Sequence, residues 1–160
     1  LDCSVIGSIV HTSGVVQEWR DQSGNGHDMI AYSGGGKPTY NEDISNPKIT
    51  FNSSLNQCLH NTDIALYQIG DTDNTIFVVF KSDNDTAIAG GSNIAGATFK
   101  GSVRCGVLVN TLDSVTKYSV YNTFYQLFDG DILEVQHYER ALSPTEINQI
   151  RNYLQSKWSA

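Results

Sequence analysis

The stretch Thr75-Ile76-Phe77-Val78-Val79-Phe80-Lys81 constrains the fold more than any other part of this chain. From Ile76 to Phe80 every side chain is large and apolar, with no alternation. Successive side chains of a strand point to opposite faces, so a strand that is apolar throughout must be covered on both. The segment predicts a central strand between two covered surfaces. A chain of 160 residues is long enough to supply them.

Around this strand, short apolar runs alternate with clusters of Gly, Asn, Asp and Ser, the rhythm of strands joined by turns. Val15–Arg20 (VVQEWR), Lys48–Asn52 (KITFN), Arg104–Asn110 (RCGVLVN), Lys117–Tyr121 (KYSVY) and Asp131–Tyr138 (DILEVQHY) read as further strands. The first runs into Asp21-Gln22-Ser23-Gly24-Asn25-Gly26, a turn in which glycine permits positive φ. Ser33–Lys37 is a second glycine-rich loop. No internal repeat or low-complexity linker divides the chain, so residues 1–160 read as one domain.

One helix is expected, over about 143–157. Ser143-Pro144-Thr145-Glu146 places Ser at the N-cap, Pro at the first helical position and Glu three residues after the cap, a capping box. Leu142 and Ile147 stand where a hydrophobic staple needs them. Ile147, Ile150, Leu154 and Trp158 then recur at spacings of three or four and form one apolar stripe. Such a helix packs its stripe on a sheet, so the architecture reads as all-β with a terminal helix.

Composition narrows the partners. The net charge is -7, and the ten basic residues are scattered without a Lys/Arg run. That argues against nucleic acid and against an anionic membrane surface. No apolar run approaches the roughly 20 residues of a membrane span, so no membrane insertion is expected. Charged residues make up 17%, below the usual level of about 25%. A weakly charged chain rich in Asn, Ser, Thr and Gly fits an extracellular or virion surface. The three cysteines, Cys3, Cys58 and Cys105, cannot all pair within one chain. They are either three free thiols or one bridge with one free thiol. No C-x-x-C occurs, which excludes a zinc ribbon.

Two segments carry a family resemblance. The first is Val16-x-x-Trp19-x-Asp21-x-Ser23-Gly24-Asn25-Gly26. The second runs from Gly130-Asp131-Ile132-Leu133-Glu134-Val135 through Tyr138-x-Arg140-Ala141-Leu142-Ser143 and Glu146 to Tyr153-Leu154-x-x-Lys157-Trp158. Together with Asn74–Lys81 between them, these segments resemble the concanavalin A-like lectin/glucanase superfamily in its laminin-G-like branch. The resemblance implies a jelly roll, a sandwich of two antiparallel sheets. It also implies the settings in which such modules occur: bacterial surface proteins, phage tail and head proteins, and large secreted enzymes. The stretch between Lys81 and Asp129 is short for that family, which leaves less loop from which to build a ligand site.

Glycanases on that fold need two carboxylates on one sheet face, flanking the scissile bond. Here Asp131 and Glu134 are three apart, so a regular strand would turn them to opposite faces. Asp129 and Asp131 could share a face but sit at the strand's start. The expected role of these carboxylates is to accept hydrogen bonds from loop and helix ends, and the chain reads as a non-enzyme. The four histidines show no metal-binding spacing, and Gly34-Gly35-Gly36-Lys37 lacks the spacing of a phosphate loop.

Calcium is the ion that oxygen-rich turns could hold. Asp21 with Asn25 and Asp28 is the leading candidate set, followed by Asp71–Asn74 and Asp83–Asp85. The competing reading is turn chemistry, with Asp and Asn capping their own backbone. No other cofactor is expected. Tyr118, Tyr121 and Tyr125 are the candidate ligand-binding aromatics, whereas Trp19 and Trp158 are expected in the core. The function expected is a non-catalytic binding or display module. It would be a capsid decoration, a tail or fibre module or an adhesin, on a virion or cell surface. Its partners would be other coat or surface proteins, a glycan or receptor, or a second copy of itself. The alternative is a glycan-processing enzyme or its accessory carbohydrate-binding domain.

Overall fold

The computed structural model describes residues 1–43, 45–61, 73–82, 86–89, 92–98, 103–110 and 128–158. Within them lie eleven strands and one α-helix. The strands are β1 (Ile9–Thr12), β2 (Val15–Trp19), β3 (Met29–Ala31), β4 (Thr39–Asn41), β5 (Lys48–Phe51) and β6 (Leu59–His60). They continue with β7 (Asn74–Lys81), β8 (Thr86–Ala89), β9 (Ser92–Thr98), β10 (Val103–Asn110) and β11 (Gly130–Tyr138). The helix α1 spans Pro144–Trp158. Every strand pairing is antiparallel, and the order β6-β3-β2-β4-β5-β11-β7-β10-β9-β8 joins them in one curled sheet, with β1 beside β2.

The expected central strand is central. β7 lies between β11 and β10 and is buried along its length except at Lys81. Its side chains divide between two cores. Ile76, Val78 and Phe80 join Ile9, Val16, Trp19, Met29, Ile49, Phe51, Leu59, Ile132 and Val135 in the first. That core gathers strands from both halves of the sheet order, which is why the sheet must curl. Phe77 and Val79 join Cys105 and Leu133 on the other face, where Leu142 and Leu154 complete a second core under the helix. Ile147, Ile150 and Trp158 pack against that second core as partly buried residues, so the stripe read from spacing faces the sheet.

The helix starts as its capping box requires. Ser143 N–H donates to Glu146 Oε2 at 2.9 Å, and Glu146 N–H donates back to Ser143 Oγ at 3.3 Å. Ser143 lies outside the helix as its cap, so the helix runs one residue later at each end than the expected 143–157. Arg140 adds a two-pronged ion pair to the same glutamate, at 2.6 and 3.1 Å. The linker before the cap is tied to the central strand, since Leu142 N–H donates to Thr75 Oγ1 and that hydroxyl donates to Arg140 O, both at 3.0 Å.

One expectation is overturned. β11 has a bulge: Ile132 pairs with Phe80 and Glu134 with Val79, leaving Leu133 as the extra residue. Directly opposed residues of an antiparallel pair share a face. Glu134 therefore stands on the helix side with Val79, and so does Asp131, opposite Lys81. The period-two rule placed these carboxylates on opposite faces; the inserted residue resets the alternation and puts them on the same one.

Candidate functional site

The carboxylates that the bulge brings to one face are each committed to partners. Lys48 Nζ donates to Asp131 Oδ2 at 2.6 Å, and Thr50 Oγ1 to its Oδ1 at 2.6 Å. Both partners come from β5, on the face opposite Ile49 and Phe51. Glu134 is 4% exposed and receives three donors: Lys157 Nζ at 2.8 Å, Trp158 Nε1 at 2.7 Å and Gln136 Nε2 at 2.7 Å. Lys157 also pairs with Asp2, whose segment lies along β11: Cys3 N–H donates to Leu133 O and Val135 N–H to Leu1 O. Burial works against both charges of the Asp2–Lys157 pair, but their hydrogen bonds outweigh it. The Asp2 carboxyl is held below its ordinary pKa, and the Lys157 ammonium above its own. Glu18, a third carboxylate, pairs with Arg20 at 3.2 Å.

The turn after β2 is built around Asp21. Its carboxylate accepts from the Ser23 hydroxyl, from Ser23 N–H at 2.9 Å and from His27 N–H at 3.2 Å. Partial burial opposes its ionisation, yet these donors win and lower its pKa. Asp28 caps the same loop by accepting from Asp21 N–H at 2.7 Å. Asn25 joins through its backbone, donating its N–H to Ser23 Oγ at 3.2 Å. Of the candidate calcium ligands, Asp21 and Asp28 thus converge on backbone donors, and Asn25 does not bring its carboxamide to them. No group of three or more His, Cys, Asp and Glu residues arranged for a metal occurs among the described residues. Asp71 and Asp83–Asp85 lie outside the described residues.

Tyr118, Tyr121 and Tyr125 also lie outside the described residues. An aromatic face that spacing did not single out is formed by β1, β2, β3 and β6. Val10 pairs with Glu18, Glu18 with Ile30, and Ile30 with His60, which aligns four side chains across the outer surface. Their neighbours Ile9, Trp19, Met29 and Leu59 fill the first core. Tyr32 follows at the end of β3, 44% exposed, with its ring at 5.6 Å and perpendicular to the His60 imidazole. Its ring lies against Gly34, where an added Cβ would come within 2.6 Å of Cε1. The loop beyond is braced on a short 3-10 turn, Ser53–Leu55, by Gly36 N–H donating to Leu55 O at 2.8 Å. The result is a shallow platform of Ile30, Tyr32 and His60 with Glu18 beside it. The available signal was Met29-Ile30-Ala31-Tyr32, a run too short for its inward and outward positions to be told apart.

Trp19 is fully buried in the first core, as expected, and its indole N–H has no hydrogen-bond partner among the described residues. Trp158 is partly buried and packs against both cores, and its indole N–H donates to the buried Glu134. The three cysteines are free and buried. Burial raises each thiol pKa, that of Cys105 to about 11. No helix among the described residues is long and apolar enough to cross a membrane. No family model matches this chain, and neither a curated protein nor a solved structure gives a match.

Proposed function

We propose that this chain is a non-catalytic binding or display module of a virion or cell surface. Its curled sheet would be a trimmed jelly roll of the concanavalin A-like kind, and a glycan or glycosylated receptor would be its ligand. The observation that carries this reading is the outer face of β2, β3 and β6. A tyrosine ring beside an imidazole, an isoleucine and a carboxylate offers a surface for the C–H face of a sugar and acceptors for its hydroxyls. The low charge of the chain agrees with a surface that meets neutral partners.

The second reading, a glycan-processing enzyme, is favoured by one feature: the bulge sets Asp131 and Glu134 on the same face. Against it, Asp131 is held by Lys48 and Thr50, and Glu134 by Lys157, Trp158 and Gln136. A catalytic carboxylate must present an oxygen to the glycosidic bond, and the oxygens of both residues are taken up by donors from the chain's own side chains.

The test is a panel of immobilised and soluble polysaccharides assayed for retention and for release of reducing ends. Retention without release is the expected result. Release that disappears in Asp131→Asn would establish the enzymatic reading instead.

A further inference from the structure

We propose that Asn25 is a site of spontaneous deamidation, through a succinimide closed by the nitrogen of Gly26. Asn25-Gly26 is the one Asn-Gly pair in the sequence. Both residues are exposed in the turn after β2. The Asn25 carboxamide has no hydrogen-bond partner among the described residues, and neither has the Gly26 N–H. Gly26 has φ +76, and a Cβ added to it would meet nothing within 4 Å, so no packed neighbour lies beside its Cα. Glycine also lacks the side chain that hinders attack by this nitrogen in other residues.

The Gly26 nitrogen, losing its proton to hydroxide, attacks the side-chain carbonyl carbon of Asn25. A C–N bond forms to close a five-membered imide, and the carboxamide C–N bond breaks to release ammonia. Water then opens the ring at either carbonyl, leaving aspartate or isoaspartate. One water is consumed for one ammonia released, and nothing is oxidised or reduced. The product adds a carboxylate to a turn already organised by Asp21 and Asp28. When the ring opens to isoaspartate it also lengthens the backbone there.

The fold holds a built-in comparison. Asp129-Gly130 has the same type of successor, yet its carboxylate accepts from the Ser53 hydroxyl and from Ser53 N–H at 2.8 Å. Gly130 is paired with Phe51, and a Cβ on it would fall 2.3 Å from Lys81 O. The same isomerisation is therefore blocked at 129. Asn52, before Ser53, has its carboxamide oxygen held by Ser54 N–H at 3.0 Å and by the Ser54 hydroxyl at 2.6 Å.

The experiment is incubation of the folded protein in mildly alkaline buffer, followed by ion-exchange chromatography and peptide mapping with isoaspartate detection. A more acidic species should accumulate, carrying aspartate and isoaspartate at 25 in excess over every other Asn or Asp. Raising the pH should increase its rate, and Asn25→Ser should remove it while leaving the thermal transition in place. Retention of the Asn25 amide after incubation, in a protein whose unfolded form deamidates there, would overturn the proposal. So would isoaspartate at 129 exceeding that at 25.

Discussion

Trp158 donates its indole N–H to Glu134 at 2.7 Å and thereby fastens the last turn of α1 to the bulged residue pair of β11. In a regular strand Leu133 would stand opposite Val79, and Glu134 would fall opposite Val78 on the other face of the sheet, away from the helix. The bulge thus makes a buried polar junction in which one carboxylate serves a lysine, an indole and an amide.

Glu134→Ala should therefore be severely destabilising. It leaves Trp158 Nε1 without its acceptor and Lys157 with Asp2 as its remaining carboxylate partner, at a site where Glu134 is almost wholly buried. Removing one member of a buried ion pair costs about 3 kcal/mol or more. Urea denaturation of the variant checks this. Glu134→Gln, which keeps an acceptor for the indole, should lose less, and equal losses would show that the indole bond contributes nothing.

Two substitutions on α1 examine the second core. Leu154 is fully buried there, and truncating a buried leucine to alanine costs about 3 kcal/mol. Ile150→Asp sets a carboxylate against the same apolar cluster, where Ile150 is partly buried, and should cost about 2 kcal/mol. Thermal melts of both variants decide the matter. Unchanged transitions would mean that the helix does not close this face of the sheet.

The central strand, the helix and its cap were legible because each rests on local rules. Thr75–Lys81 has no polar side to present, and Ser143 and Glu146 satisfy each other within one turn. The strands expected at Val15, Lys48, Arg104 and Asp131 all lie in the sheet for the same reason. What could not be read depends on distant partners. Met29–Ala31 and Leu59–His60 are three and two residues long, too short to show a period, and become strands only because they pair with each other and β3 pairs with β2. The bulge at Leu133 has no residue signature of its own. It appears only in the register against β7, and it reversed the expected placement of Asp131 and Glu134.

The helix cap should give the protein a distinct acid response. Glu146 has its carboxyl lowered from the ordinary value of 4.5 to about 2, first by the Arg140 guanidinium and then by Ser143. A carboxyl depressed in the folded state stabilises the fold above its unfolded pKa, and that stabilisation fades as pH falls towards its folded pKa. The cap's contribution should be full above about pH 5 and fade from there to about pH 2. Glu146→Gln should lower the melting temperature at neutral pH, with the difference from the parent shrinking across that acid range. A gap that stays constant from pH 7 to pH 2 would show that the carboxylate charge plays no part in capping.

Binding and folding should separate at Tyr32. Its ring is nearly half exposed and touches His60 edge-on, and an aromatic pair of this kind adds about 1 kcal/mol beyond its buried area. Tyr32→Ala should thus cost roughly 1 kcal/mol of stability, far less than Leu154→Ala. If the outer face of β3 and β6 is the ligand surface, the same change removes the ring that a sugar would stack on and should abolish retention on any glycan the parent protein binds. Tyr32→Phe keeps the ring and should keep most of that retention, while His60→Ala should weaken it by loosening the ring's orientation. The measurement is a glycan array, followed by titration calorimetry on the best ligand. A Tyr32→Ala protein that is folded and binds as tightly as its parent would move the binding surface elsewhere on the chain.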